Sequence, residues 1–391
     1  MGLQEWNRVR FSVSQRISFA RCGLAFVFLI GFAGPQRLAA QDLPVAGVSE
    51  INPDREPVLE YWTPQRMASA VPMPMLQAGG DPADDDGPVS GVNEPVMMEQ
   101  RGEDGAGQEV PGQRSTESQG DQVLPPGYSY PYPFTRYDVL PLLYAPKILP
   151  TPVNVRATFP YKTVGKVFFI LNGKNYVCSA SVINPHLLLT ARHCIYDYNS
   201  HTFATMVKFS PGYYKADNPE LGGRWKYRRL YTWVNNAAGH RYDIGFIQLY
   251  DDDGIGCGGS RGGRPIESYT SWLLSTWGGS YDSVHWNEFG YPAAAPFTGE
   301  VMVEADSSTG TINGWLSGDR DTVAVGNDMT GGSSGGPWLY KMFPGSDTAG
   351  VNYANGLNSF YAGGALGTGS PEFFQYNYGT LLTGAKALSC P

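Results

Sequence analysis

The stretch Thr330–Trp338 (TGGSSGGPW) decides the fold, once it is combined with what precedes it in the chain. A serine that attacks an acyl carbon needs backbone N–H groups directed at the oxygen that becomes negative, and neighbouring glycines allow the tight turn that supplies them. Ser334 occupies the position that such a turn exposes, and the N–H groups of Gly332 and Ser334 are the predicted donors of an oxyanion hole. The same letters also suit a flexible Gly/Ser loop.

A histidine follows an apolar strand in the stretch Leu187–Cys194 (LLLTARHC). A general base must be held rigidly and in one tautomer, and a buried strand with a disulfide at the next residue would hold His193 in this way. Cys178 lies on the preceding predicted strand, so a short cross-link to Cys194 is geometrically reasonable. A lone histidine after a strand is more typical of a structural residue, and its pairing with the serine motif favours catalysis.

An aspartate stands at the head of the apolar stretch Tyr242–Leu249 (YDIGFIQL). A carboxylate that enters a core strand needs a partner for its charge, and the Nδ1–H of a catalytic histidine is a suitable one. By itself Asp243 would be interpreted as a turn or cap residue. As the third member of an ordered set with His193 and Ser334, it is predicted to orient the histidine.

The order of these residues separates the hydrolase folds, because unrelated scaffolds assemble the same triad in different chain orders. The letters around Ser334 also fit the G-x-S-x-G elbow of α/β-hydrolases, in which the histidine follows the serine. All five histidines precede Ser334, which excludes that fold; they are His186, His193, His201, His240 and His285. The subtilisin order would place the aspartate first and is disfavoured.

Together these motifs resemble the trypsin/chymotrypsin family of serine proteases. A narrower resemblance, to its glutamyl endopeptidase-like branch, comes from Cys178–Ser181 (CSAS), Gly290–Pro292 (GYP) and the serine motif itself. The similarity covers about residues 160–382 and leaves the first 150 residues outside.

The resemblance implies an all-β fold of two six-stranded antiparallel β-barrels with a short C-terminal helix, the first over about residues 153–270 and the second over about 271–391. It places His193 and Asp243 in the first barrel and Ser334 in the second. It also implies hydrolysis of peptide bonds in proteins or peptides through an acyl-enzyme, with no metal and no organic cofactor.

Three positions depart from the family pattern or bear on specificity. Ser333 stands where trypsin-like zymogens have the Asp that pairs with a newly cut N-terminus, so activation of that kind is not expected. Asn358 replaces a histidine that helps to bind acidic side chains in the glutamyl endopeptidase-like branch. Asp328, six residues before Ser334, matches the pocket-floor Asp that favours basic side chains, although a surface turn with Asn327 would explain it equally well.

Short apolar runs broken by Gly, Asn, Asp and Pro predict many strands, and Asn172-Gly173 predicts a hairpin turn between the first two. A short helix is predicted over Leu381–Leu388. The predicted strands are Val167–Leu171, Tyr176–Ile183, Leu187–Ala191, Met206–Phe209, Ile244–Leu249, Trp272–Thr276, Val301–Glu304 and Asn355–Tyr361.

The N-terminus is typical of an export signal over residues 1–40. Four arginines precede the apolar run Cys22–Gly34, and small residues end at Ala39-Ala40. A run of about thirteen residues is too short to span a hydrocarbon core of ~30 Å, although an uncleaved signal anchor is an alternative that would attach the protein to a membrane. The prediction is therefore a secreted protein.

Residues 41–150 are predicted to be an acidic propeptide or a solvated spacer. Residues 41–122 are expected to be disordered, and the Tyr/Pro stretch Pro125–Pro150 is expected to be extended and to lie across the surface of the folded domain. Sixteen acidic residues stand against four arginines in residues 41–125, and Pro and Gly are frequent. Residues 126–391 carry no net charge and offer no basic stripe, so nucleic-acid binding is not expected. We expect a monomer.

Removal of the signal leaves four cysteines, an even number that suits an oxidising compartment. Besides Cys178 and Cys194 these are Cys257 and Cys390, whose pairing would tie the first barrel or interdomain region to the C-terminus; spacing alone does not prove it. The sequence therefore predicts a secreted serine endopeptidase made as a precursor. The rival interpretation is a catalytically silent homologue that binds a partner, but such homologues usually lack a triad residue.

Overall fold

The structure is a computed structural model that describes residues 45–52, 55–77, 134–139, 142–143, 153–234, 239–254, 256–257, 262–279, 281, 284–308, 321–345, 351–362 and 367–388. The predicted export signal and Cys390 lie outside these residues. None of the helices in the described ranges is long and apolar enough to span a membrane.

The described residues are mainly strands joined by short turns. In chain order the strands are β1 (Ala46–Val48), β2 (Val71–Pro72), β3 (Leu76–Gln77), β4 (Thr135–Val139), β5 (Leu142–Leu143), β6 (Val153–Asn154), β7 (Val164–Leu171), β8 (Lys174–Asn184), β9 (Leu187–Thr190), β10 (Tyr196–Asp197), β11 (Thr202–Phe203), β12 (Thr205–Pro211), β13 (Trp225–Trp233), β14 (Gly245–Leu249), β15 (Leu274–Ser275), β16 (His285–Gly290), β17 (Met302–Ser308), β18 (Thr322–Gly326), β19 (Pro337–Tyr340), β20 (Tyr353–Leu357), β21 (Phe360–Tyr361) and β22 (Gly367–Pro371). The α-helices are α1 (Arg55–Tyr61), α2 (Pro64–Ser69), α3 (Arg192–Ile195), α4 (Glu267–Thr270) and α5 (Thr380–Ala387).

A closed six-stranded antiparallel barrel forms the first half of residues 153–388. Its ladder runs β13-β12-β7-β8-β9-β14 and closes because β14 also pairs with β13. Closure removes the free strand edges that a sheet would otherwise present. The barrel interior is apolar, with Val167, Leu188, Phe209 and Ile247 fully buried.

The hairpin between β7 and β8 confirms the turn predicted from Asn172-Gly173. Both residues have positive φ, 49° and 75°, as a type I′ turn requires. Eight residue pairs follow in continuous antiparallel register from this turn. This register brings Cys178 to the barrel interior, opposite Val167.

The second half contains a six-stranded sheet in the order β15-β20-β19-β16-β17-β4 and a four-stranded sheet in the order β18-β22-β21-β3. Trp286 and Trp338 pack together in its core, with ring centroids 5.8 Å apart. The mostly antiparallel fold and the short C-terminal helix α5 confirm the predicted all-β class.

Part of the region predicted to be disordered is folded. Residues 45–77 contain α1, α2 and three short strands, of which β1 and β2 join the first barrel sheet and β3 joins the four-stranded sheet. The disorder prediction is wrong for these residues because it averaged composition over 41–122, whereas Val58, Trp62 and Met75 are buried. β4 lies in the stretch Pro125–Pro150, which was expected to be extended across the folded domain, and it pairs with β17.

Candidate active site

The serine loop is folded around two glycines with positive φ, Gly332 at 94° and Gly335 at 83°. A Cβ on Gly335 would lie 2.2 Å from Thr190 Oγ1, and a Cβ on Gly336 would lie 1.8 Å from the carbonyl oxygen of Phe289. Only glycine fits at either position. The stretch is therefore a packed turn and not a flexible loop.

Backbone hydrogen bonds fix this turn to both halves of the fold. Ser179 N–H, on β8 of the first barrel, donates to the carbonyl of Ser334 at 2.8 Å. From the second half, the carbonyl of Asn358 accepts from Gly335 N–H at 2.8 Å. Ser334 therefore lies where the two halves meet.

His193 lies in the short helix α3, directly after β9. Its Nδ1 is 2.8 Å from Asp243 Oδ2, and its backbone N–H donates to Asp243 Oδ1 at 2.9 Å. Two contacts to one carboxylate fix both the main chain and the ring. With Asp243 as acceptor, Nδ1 carries the proton and Nε2 is left as the basic nitrogen.

The disulfide between Cys178 and Cys194 is present, with a Cα–Cα distance of 6.2 Å, as the sequence predicted. It ties the residue after His193 to β8. The sulfur of Cys194 also lies 3.7 Å from the carbonyl oxygen of Ser334, so the cross-link is next to the serine loop. Cys178, His193 and Cys194 are close enough to share a metal ion, but the disulfide uses both sulfurs and the set does not fit one.

Asp243 is fully buried and follows the 3₁₀ turn His240–Tyr242. Burial raises the pKa of its carboxyl, but the charge and hydrogen bond of His193, together with Arg192 and the hydroxyl of Ser359, outweigh burial and lower that pKa to about 2. The carboxylate is therefore ionised at neutral pH. It can stabilise a protonated His193.

Ser359 is a site residue that the sequence analysis missed. Its hydroxyl donates to Asp243 Oδ2 at 2.6 Å, across 116 positions in the chain. It lies between β20 and β21, next to Asn358. The sequence signal was weak: Ser359 is a serine inside the predicted strand Asn355–Tyr361, and that stretch gave no indication of a contact with Asp243.

Two side-chain atoms of the predicted triad are buried without a hydrogen-bond partner among the described residues. They are His193 Nε2 and Ser334 Oγ. These are the nitrogen that would take a proton and the oxygen that would give it. The structure thus brings His193 and Asp243 into direct contact, and places Ser334 beside them through the backbone.

The N–H of Gly332, a predicted oxyanion-hole donor, already has a hydrogen-bond partner. It donates to the carbonyl oxygen of Met73 at 3.1 Å. The carbonyl of Gly331, in the same peptide plane as this N–H, accepts from Ala293 N–H at 2.8 Å, which fixes the direction of the Gly332 N–H. A peptide carbonyl can therefore bind at this position.

The two predicted pocket residues have different surroundings. Asn358 is buried, with its amide donating to the carbonyls of Phe289 and Ser333 and its oxygen accepting from Trp338 Nε1 at 2.8 Å. Both ends of the carboxamide are occupied by the protein itself. Its contact with Ser333 supports the serine loop.

Asp328 forms a salt bridge with Arg136 of β4. Burial raises the pKa of the Asp328 carboxyl, and Arg136 offsets part of this effect. The second carboxyl oxygen, Oδ1, is buried and has no hydrogen-bond partner in the described part of the chain. The negative charge of Asp328 is balanced by an arginine that lies outside the region of the family resemblance.

Comparison with known families supports the interpretation of the motifs. Residues 157–261 match the family model described as Trypsin. This part of the chain is similar to trypsin-family serine proteases. This stretch includes His193 and Asp243, while Ser334 lies beyond it.

Several solved structures are similar to part of this chain. A thermostable serine protease, AL20, from an extremophilic microorganism is 25% identical, with 58% of this chain and 98% of that chain covered and a TM-score of 0.48. The protease Anisep from Arthrobacter nicotinovorans is 27% identical, with coverages of 55% and 91% and a TM-score of 0.44. A Glu endopeptidase is 17% identical, with coverages of 60% and 94% and a TM-score of 0.45. No curated protein matches the chain.

Proposed function

We propose that the protein is an exported serine endopeptidase that is made as a precursor. Ser334 is the nucleophile, His193 the general base and Asp243 the residue that orients His193. The observation that carries the proposal is the His193 ring held by Asp243, at 2.8 Å, next to a serine loop whose Gly332 N–H already binds a peptide carbonyl.

In the first step, His193 Nε2 takes the proton of Ser334 as Oγ attacks the carbonyl carbon of the substrate. The developing negative oxygen is stabilised by the N–H groups of Gly332 and Ser334. The positive charge that forms on His193 is balanced by Asp243, whose low pKa keeps it ionised. The geometry therefore stabilises both charges of the transition state.

In the second step, His193 gives its proton to the nitrogen of the leaving amine, and the peptide bond breaks. An ester between Ser334 and the acyl half remains. A water molecule that loses a proton to His193 then attacks this ester, and Ser334 is released with its proton restored. No further group is needed for the atoms and charges to balance.

The surroundings of Asp328 bear on specificity. While Arg136 is in place, the pair carries no excess negative charge to attract Lys or Arg side chains. Asn358 is bonded on both ends to the protein. We therefore assign Asn358 to support of the serine loop and do not assign a basic preference to Asp328.

The test is labelling of the processed protein with a fluorophosphonate probe, which reacts with activated serines. We expect stoichiometric labelling of the wild type. Ser334→Ala should abolish labelling, and His193→Ala should lower peptide hydrolysis by roughly 10⁴- to 10⁶-fold. Ser200→Ala, which removes an exposed serine hydroxyl, is the matched control and should retain full labelling.

Equal labelling of the wild type and Ser334→Ala would contradict the proposal. Folded, processed wild type that does not react at all would favour the rival interpretation, a silent homologue that binds a partner. Circular dichroism of each variant separates a lost nucleophile from a lost fold.

A further inference from the structure

Residues Val71–Gln77 (VPMPMLQ), here called the strap, cross from the first barrel to the second half of the fold. At one end, Val71 and Pro72 pair in parallel with Tyr176 and Val177 of β8. At the other end, β3 pairs in parallel with β21. The strap thus connects the two halves at the line where Ser334 meets the first barrel.

The middle of the strap lies on the serine loop. The carbonyl oxygen of Met73 accepts from Gly332 N–H at 3.1 Å. A Cβ added to Gly331 would lie 2.7 Å from the same oxygen, so the fit is close. A strap carbonyl therefore occupies the donor that the proposed mechanism reserves for the substrate oxygen.

The strap residues that follow Met73 also contact the serine loop and its neighbours. Met75 is 3% exposed, and its Sδ lies 3.7 Å from Ser333 Oγ. Leu76 N–H is 3.4 Å from the carbonyl of Ser359, the residue whose hydroxyl donates to Asp243. The strap therefore contacts residues on both sides of Ser334.

Two prolines flank the carbonyl that reaches Gly332. The bond after Met73 is a prolyl bond, whose nitrogen carries a ring carbon where an ordinary peptide has hydrogen. The ring crowds the preceding residue, which makes the bond a poor one to cleave. The strap is therefore expected to stay intact while its Met73 carbonyl occupies the N–H of Gly332.

The catalytic atoms are shut off from solvent in this arrangement. Ser334 is fully buried, and His193 Nε2 is also inaccessible. The strap pairs with β21 as an added strand and occupies the N–H of Gly332. An extended substrate that bound in the same cleft by strand addition would compete for these backbone groups.

We propose that the strap is an intramolecular inhibitor that fills the substrate cleft and must leave before the protease acts. This inference rests on the proposed function. The strap is held in place by its backbone pairing with β8 at one end and with β21 at the other. These pairings keep the carbonyl of Met73 at the N–H of Gly332. Inhibition ends when these pairings are lost, without any change in the triad itself.

The experiment measures the rate of fluorophosphonate labelling of the full, unprocessed chain. Leu76→Asp places a charge where Leu76 packs against Phe360 and Ala362, and should raise the labelling rate by about tenfold or more, a shift of population worth roughly 1.4 kcal/mol. Gln77→Asp, on the same strand with an exposed side chain, is the matched control and should leave the rate unchanged. Met75→Asp is the second activating variant, should Leu76→Asp fail to fold.

A synthetic peptide of residues 70–78 should restore inhibition when it is added to the Leu76→Asp chain, and mass spectrometry should recover the peptide intact. The same peptide carrying Leu76→Asp should not inhibit. If the folded wild type and both strap variants are labelled equally fast at Ser334, the strap proposal is overturned and the proposed function stands. If no variant reacts at Ser334, and the processed protein does not react either, the proposed function itself fails.

Discussion

Asp243 shows how a single buried carboxylate is kept charged. Three groups reach it: His193 Nδ1, His193 N–H and the Ser359 hydroxyl. Together they outweigh the burial that would otherwise favour the protonated acid. Ser359 touches neither the nucleophile nor the oxyanion donors, so it acts as a positioning residue through Asp243.

Ser359→Ala is expected to destabilise the fold and to slow hydrolysis. The variant leaves a buried charge short of one hydrogen bond, which costs about 1–3 kcal/mol. Asp243 titrates at about 2 in the folded protein and near 3.9 when unperturbed, so its stabilisation is present above about pH 4 and is lost as the pH falls toward 2. Because the variant raises the folded-state pKa, its stability deficit should be full at pH 6 and should shrink below pH 4.

Urea unfolding at several pH values measures this deficit, in a Ser334→Ala background that prevents self-digestion. Ser268→Ala, at an exposed serine of α4, is the control and should show no pH-dependent difference from the parent. A deficit for Ser359→Ala that is the same at pH 6 and pH 2.5 would indicate lost packing only. In the active background, kcat should fall with little change in KM.

Sequence reasoning found the reactive side chains of the site more easily than their supports. His193, Asp243 and Ser334 stand in recognisable sequence contexts, and the structure brings His193 and Asp243 into contact. Ser359 and Met73 act through one hydroxyl and one backbone carbonyl. Such groups occur throughout any chain, so only the three-dimensional contacts single them out.

At the scale of elements, the strands with continuous apolar runs were predicted, whereas a strand that mixes charged and apolar residues was missed. β7, β8, β9 and β14 match the predicted strands closely, because they are buried along nearly their whole length. β13 was missed although it closes the barrel. Its lysine and arginines, Lys226, Arg228 and Arg229, alternate with buried aromatics around a bulge, which disrupts the period of two.

The disulfide links two elements that carry the site, β8 and α3. We expect the double variant Cys178→Ala/Cys194→Ala to lose about 3 kcal/mol of stability, since the bond closes a loop with a sequence separation of 16. Activity should fall as well, because α3 carries His193 and a small displacement of a catalytic group is costly. The free energy of unfolding and the kinetic constants measure the two effects.

Kinetics taken far below the melting temperature of the double variant separate positioning from unfolding. A lower kcat with KM nearly unchanged is expected there. Unchanged stability together with unchanged kcat would show that the cross-link contributes neither to the stability of the fold nor to the positioning of His193.

At the scale of the molecule, the described residues belong to one compact unit that includes residues 45–77. Cys257 also forms a disulfide, while Cys390, its predicted partner, lies outside the described residues. The pairing of these two cysteines stays a prediction. Local sequence pattern predicts disulfides between distant residues poorly, because such pairs depend on which parts of the chain meet in the fold and not on which residues are neighbours in sequence.

The helices before the strap pack against the first barrel, and this has a testable consequence. Trp62 is 2% exposed, its ring centroid lies 5.6 Å from that of Phe168, and its Nε1 donates to the carbonyl of Met206. Trp62→Ala should therefore cost roughly 3–5 kcal/mol in the full chain, measured by urea unfolding of the Ser334→Ala form. Gln65→Ala, exposed on α2, should cost less than about 0.5 kcal/mol. If Trp62→Ala costs no more than Gln65→Ala, residues 45–69 are a spacer that does not stabilise the barrel; a large difference means that the segment which carries the strap also helps to hold the protease fold together.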